Sequence, residues 1–177
     1  MKEKRRYAVS YAADPKYLLH TCNQFENRPP VWHIHGELRR KSSIVMTHDE
    51  YVRLLQKIVE YNKAIARKYL LFSEKVYYDS WVDYFLMSNL YVVGLGMDFS
   101  EIDLWWLINR RLREKAKTGK IIFYKSMYDD SAVSNALQLM EVEVVAPDID
   151  AESKEEYYRI FYRNVIEDIQ KRQGERL

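Results

Sequence analysis

From position 90 onward the chain alternates between two kinds of segment, and that alternation limits the folds open to it more than any other feature. LYVVG at 90–94 is a continuous apolar run ending in glycine, the pattern of a strand buried on both faces. Ser100 and Asp103 have the spacing of a capping box, and the helix they open, IDLWWLINRRLREK, ends by Gly119. KIIFYK follows as a strand, a helix spans roughly 131–140, and VEVVAP is a third strand closed by Pro147. Ser153 and Glu156 cap a last helix that runs toward Gln170. Parallel neighbours need crossover connections, so strands alternating with helices imply an α/β fold whose parallel sheet carries helices packed against it.

The signals upstream are more local. YAVSYA at 7–12 reads as a short strand. Asp14 followed by Pro15 reads as a helix start, with KYLLHTC as the helix and NRPP as its stop. The stretches 31–35 and 43–46 read as extended. Thr47 and Glu50 form another capping box, and the helix beyond it has Val52, Leu55, Ile58 and Val59 at helical spacing. A second helical region is expected over 74–88. No repeat, low-complexity segment or linker divides the chain. It is expected to be a single domain over 1–177, ending in a helix within 151–177.

Composition excludes several function classes. At 177 residues, 47% hydrophobic and 31% charged, the chain can bury a core and remain in solution. A net charge of +2 is too small to point to nucleic acid. The basic residues Arg110, Arg111, Arg113, Lys115 and Lys117 cluster at a helix C-terminus, where cations complement the dipole, so nucleic acid is not an expected partner. One cysteine, Cys22, allows neither an internal disulfide nor a thiolate zinc site. The apolar runs are too short to span a bilayer, and KEKRR after Met1 leads into no signal-peptide stretch. The expected location is the cytoplasm, with no membrane partner. The 15 tyrosines suit half-buried faces, and a homo-oligomer interface is the alternative use for them.

Two stretches carry candidate chemistry. In VVGLGMDFSEID a buried strand ends at Gly94-Leu95-Gly96 just before a helix, the place where open α/β sheets bind ligands. Phe99 stands where a dinucleotide fingerprint would have its third glycine, and the next strand ends in Lys125 rather than an acid. A ligand turn and a plain tight turn therefore both fit. Asp98 is placed to contact a ligand hydroxyl, and Asp103 reads as a helix cap.

The other stretch is VWHIHGELRR at 31–40, which holds two of the four histidines, His33 and His35. On a strand they would share a face, and two such imidazoles could hold a metal with His20, His48, Glu37 or Asp49. No spacing matches a zinc pattern, so no metal is expected. His35 beside Gly36 at a strand end is placed to act as a general base on a bound hydroxyl, with Gly36 leaving room for the substrate.

The order of these motifs is more specific than any one of them. A His-Gly at a strand end, a β-piece with a capped helix (SIVMTHDEYVRLL), a strand ending in a glycine turn with trailing acids (LYVVGLGMDFSEID) and a late VEVVAPD strand follow in turn. Over about 7–148 the chain resembles the SIR2-like family, the sirtuin-related domains of bacterial NAD-consuming and phage-defence proteins. The resemblance implies a Rossmann-like parallel sheet with helices on both faces, in three layers. It implies NAD as the cofactor, and NAD or ADP-ribose as the nucleotide ligand. It gives His35 the role of base on the nicotinamide ribose and points to Gly94 and Gly96 as cofactor contacts, with Gly36 and Asp98 beside them. Asp14 matches the final acid of the family's Thr-x-Asn-x-Asp motif as a second catalytic candidate. Alanine occupies the asparagine region of that motif, and the family's Gly-Ala-Gly phosphate loop is expected to be missing from the N-terminus. The resulting expectation is an NAD-binding or NAD-hydrolysing domain of phage defence, glycohydrolase-like, with reduced or absent activity. The alternative is a non-catalytic sensor or oligomerisation module on the same fold.

Overall fold

The computed structural model describes residues 16–23, 26–71, 78–113 and 119–174. In chain order the elements are a 3-10 turn at Lys41–Ser43, α1 (His48–Leu71), α2 (Trp81–Met87), β1 (Leu90–Val93), α3 (Ile102–Arg113), β2 (Ile121–Tyr124), α4 (Ser131–Leu139), β3 (Glu143–Val145) and α5 (Lys154–Gly174). The chain forms two compact units. One comprises Met1–Met87 with Ser100–Arg110, the other Ser88–Phe99 with Arg111–Leu177.

The second unit holds the sheet. β1, β2 and β3 are parallel and lie in that order, with Leu90 opposite Ile121 and Ile122 opposite Glu143. All four residues of the middle strand are buried. Ile122 and Tyr124 point to one face, where Tyr157, Phe161 and Val165 of α5 cover them. Those three recur every four residues, so α5 lays one stripe along the sheet. Ile121 and Phe123 point the opposite way and are also buried. With both faces covered, the sheet is the middle layer of an α/β, Rossmann-like three-layer fold.

Polar contacts complete this packing. The Tyr124 hydroxyl donates to Asp168 Oδ2 at 2.7 Å, and Arg172 Nε donates to the same oxygen at 2.6 Å. Arg172 Nη2 also meets Glu143 Oε1 at 2.7 Å, which ties α5 to β2 and β3. Asp130 caps α4 by accepting from the Ala132 amide at 2.8 Å, and Ser153 accepts from the Glu156 amide at the start of α5. Arg111, read above as part of a basic cluster, is only 4% exposed. Its guanidinium donates to the carbonyls of Ser88 and Gly119, and burial pushes its pKa down to about 10.

In the first unit the helix expected over 16–22 does not form. Tyr17, Leu18, Leu19 and Cys22 are all buried, which no single helical stripe could achieve. The Leu19 carbonyl instead accepts from the Trp81 amide and from Ser80 Oγ, so tertiary partners replace the helical ladder. The expected strand at 7–12 and Asp14 lie outside the described residues. Of the helical region expected over 74–88, the described part is helical only in α2, with 78–80 outside it. The Asp83 carboxylate orders this entry by accepting from Tyr61 Oη and from the Asp79 and Ser80 amides.

The capping box of α1 forms as read. Thr47 Oγ1 accepts from the Glu50 amide at 3.3 Å, and Glu50 Oε2 accepts from the Thr47 and Met46 amides at 3.0 and 2.9 Å. Glu50 also accepts from Lys16 Nζ. The Lys16 contact first, and then the two amides, hold the Glu50 carboxyl down at about 2 against an ordinary 4.5. A depressed carboxyl stabilises the fold above its unfolded value and loses that contribution as pH falls toward the folded one. Between pH 4.5 and 2, therefore, the thermal midpoints of the native chain and Glu50→Gln are expected to converge, as read by circular dichroism. A gap that holds constant through that window would count against this linkage.

Candidate functional site

The segment 31–45 is a loop around the 3-10 turn, and no strand forms at 31–35. Among the described residues it makes isolated antiparallel bridges between Asn23 and Val31 and between Glu37 and Arg40. The Gly36 amide donates to the His33 carbonyl at 3.0 Å, which makes a turn of 33–36. His33 and His35 are therefore not the same-face pair a strand would make of them. His33 is exposed, with Nε2 3.9 Å from Glu37.

Gly36 sits at φ +96, a conformation open to glycine and unfavourable for any L residue. A Cβ there would lie 2.3 Å from the Ser43 carbonyl oxygen. The space in front of Gly36 is filled by the chain's own backbone, not left for a substrate. The loop is closed by the Val45 amide donating to the His35 carbonyl at 3.0 Å and the Glu37 amide donating to Ser43 Oγ at 3.1 Å.

This loop presents His35 to the start of α3. His35 Nε2 lies 3.0 Å from Asp103 Oδ2, and Nδ1 lies 3.5 Å from Glu101 Oε2. Tyr51 of α1 sets its ring edge-on to the imidazole, with centroids 5.0 Å apart, and burial first, then the Glu101 and Asp103 charges, push its hydroxyl pKa up. Asp103 is fully buried, and its Oδ1 has no hydrogen-bond partner among the described residues. It was read above as a helix cap. In the structure it turns to the imidazole, while its place in the first turn of α3 still sets its charge against the positive end of the helix dipole.

Burial alone would lower the pKa of His35. The hydrogen bond to Asp103, the charge of Asp103 and the charge of Glu101 outweigh it, and the net direction is upward. A carboxylate can only accept, so Asp103 selects the ring with hydrogen on Nε2. Nδ1 is then the nitrogen that gains and loses a proton. A base oriented by a buried carboxylate is an arrangement that serves general-base chemistry.

The remaining sequence candidates fall elsewhere. Gly94, Gly96 and Asp98 are exposed in the stretch that follows β1 in the second unit. Gly94 has φ +67, and a Cβ on it would lie 3.1 Å from the Tyr162 hydroxyl, while nothing lies within 4 Å of one on Gly96. The donors gathered around His35 are not His20, His33, His48, Glu37 or Asp49. They are Glu101 and Asp103, with one donor atom from each of the three residues lying within 4.8 Å of the others. Neither Glu101 nor Tyr51 stood out in the sequence. The one available signal was two acids, two residues apart, at a helix start.

No helix among the described residues is long and apolar enough to cross a membrane. No curated protein and no solved structure matches this chain significantly. A family model described as a SIR2-like domain matches residues 2–145. That match covers most of the chain, including both the His35–Gly36 loop and the glycine turn after β1, and by it the protein belongs to the SIR2-like domain family.

Proposed function

We propose that the chain binds NAD and hydrolyses its nicotinamide–ribose bond, with His35 as the general base. The observation that carries this reading is the 3.0 Å contact between His35 Nε2 and the buried Asp103 carboxylate. It leaves Nδ1 to take a proton from a ribose hydroxyl or from the attacking water. In the overall reaction, a water oxygen bonds to the anomeric carbon as the carbon–nitrogen bond to nicotinamide breaks. Nicotinamide leaves with the bonding pair, and the proton lost by water is taken up at the imidazole. Asp103 steadies the imidazolium that results. Asp14 is the second catalytic candidate, Gly36 shapes the loop that holds His35, and Gly94, Gly96 and Asp98 are the second unit's candidates for nucleotide contact. A cytoplasmic role in phage defence, with activity lower than that of a full enzyme, belongs to the same reading.

Nicotinamide release from NAD, followed by chromatography, tests it. His35→Ala is expected to lower the rate by about 10²–10⁴-fold, the range for loss of a general base. An undiminished rate in His35→Ala would refute the assignment. Calorimetry with NAD and with ADP-ribose separates the two forms of the proposal. Binding without turnover makes the chain a sensor, and no binding of either at millimolar ligand removes the NAD reading altogether.

A further inference from the structure

His35, Glu101 and Asp103 together form a donor set that proton transfer does not fully explain. We propose that they bind a divalent transition metal of the zinc or manganese class, and that the bound ion silences His35. The proposal deepens the function above, since it rests on the same side chains and adds their regulation.

The donors come first. One imidazole and two carboxylates suit borderline cations, whereas thiolate sites favour softer ions and all-oxygen sites favour calcium or magnesium. The distances follow. One donor atom from each residue lies within 4.8 Å of the others. An ion held at about 2.1 Å by each would need donors no more than about 4.2 Å apart, a contraction that small carboxylate rotations supply. The closest contacts, 3.0 Å from Nε2 to Asp103 and 3.5 Å from Nδ1 to Glu101, run to opposite ring nitrogens, so an ion takes one nitrogen and draws the farther carboxylate toward it.

Burial gives a second, independent indication. Asp103 is fully buried with Oδ1 lacking a hydrogen-bond partner among the described residues. A buried carboxylate oxygen without a donor is costly, and a cation removes the penalty. The cluster is also held in place. Asp103 is fixed in the first turn of α3, and the His35 backbone by the Val45 amide. Three protein donors leave at least one coordination position open.

Silencing follows from the count of lone pairs. A neutral imidazole has one, and a ring nitrogen bound to an ion cannot also accept a proton.

The test uses the full chain stripped with a chelator, titrated by calorimetry with zinc chloride and with manganese chloride in the absence of NAD. Saturable one-to-one binding is expected, weakened about tenfold or more in Glu101→Gln and in Asp103→Asn. Thermal melts confirm that both variants fold. No saturable binding, or binding unchanged in both variants, overturns the site. Because this readout contains no NAD, it stands whether or not the chain hydrolyses NAD. Nicotinamide release is then measured with and without zinc. A rate that falls as the site fills is expected, and a zinc-saturated chain as fast as the stripped one overturns the silencing.

Discussion

Gly36→Ala is expected to destabilise the first unit by about 3 kcal/mol or more, combining the left-handed penalty with a backbone clash. Such a loss is a large share of the roughly 5–15 kcal/mol that holds a typical domain together. Two independent terms act at this position. The backbone has φ +96, where an L residue is strained, and the added Cβ would meet Ser43 O at 2.3 Å and Ile44 Cα at 2.6 Å. The obstructing atoms are main chain and cannot rotate away. Displacing them would break the bonds from the Val45 amide to the His35 carbonyl and from the Glu37 amide to Ser43 Oγ. His35 is the preceding residue, so the proposed nicotinamide release should fall with stability. Urea unfolding followed by tryptophan fluorescence measures the effect. Gly96→Ala is the matched control, because a Cβ there meets nothing within 4 Å, and it should change the midpoint little. Equal midpoints for the two variants would contradict the packing described for the loop.

Phe161→Ala is expected to remove about 3–5 kcal/mol from the second unit, the usual range for emptying a buried aromatic site. Phe161 is 1% exposed and lies in one cluster with Ile122, Tyr124, Tyr157 and Val165. The surrounding β2 and α5 are regular elements, so they cannot collapse far into the void. Tyr162→Ala is the comparison. That ring is 43% exposed, and its loss should cost about 1 kcal/mol or less. Thermal or urea melts of the two variants give the contrast, and a Phe161→Ala midpoint no lower than that of Tyr162→Ala would mean that α5 does not anchor the sheet.

The elements that could be read from the sequence share one property, that their cause is local. β1, β2 and β3 lie in short runs rich in apolar residues, and the middle strand, β2, is buried on both faces. The caps at Thr47 and Ser153 are visible because a side chain three residues away satisfies the helix amides. Where the reading failed, the cause is distant. KYLLHTC follows a helix-start signal and has apolar residues, yet its Leu19 carbonyl accepts from Ser80 and Trp81. VWHIHGELRR looks like a strand by composition, but contacts with 43–45 fold it into a loop.

The candidate site divides along the same line. His35 was identifiable from its glycine neighbour, although the reason for the glycine was not: Gly36 makes way for the Ser43 backbone rather than for a ligand. Asp103 could be recognised only as part of a capping box. Its pairing with the imidazole spans 68 residues, and no periodicity or spacing rule reaches that far. By itself the sequence determined the α/β class, the strand order of the second unit's elements along the chain, and which histidine to consider, because local patterns of burial and capping encode these. Only the tertiary structure decided what surrounds that histidine. Two carboxylates at the start of α3 and a tyrosine on α1 come together there, and the electrostatics they impose on His35 depend on distances of 3.0 to 5.0 Å that only the packed chain creates.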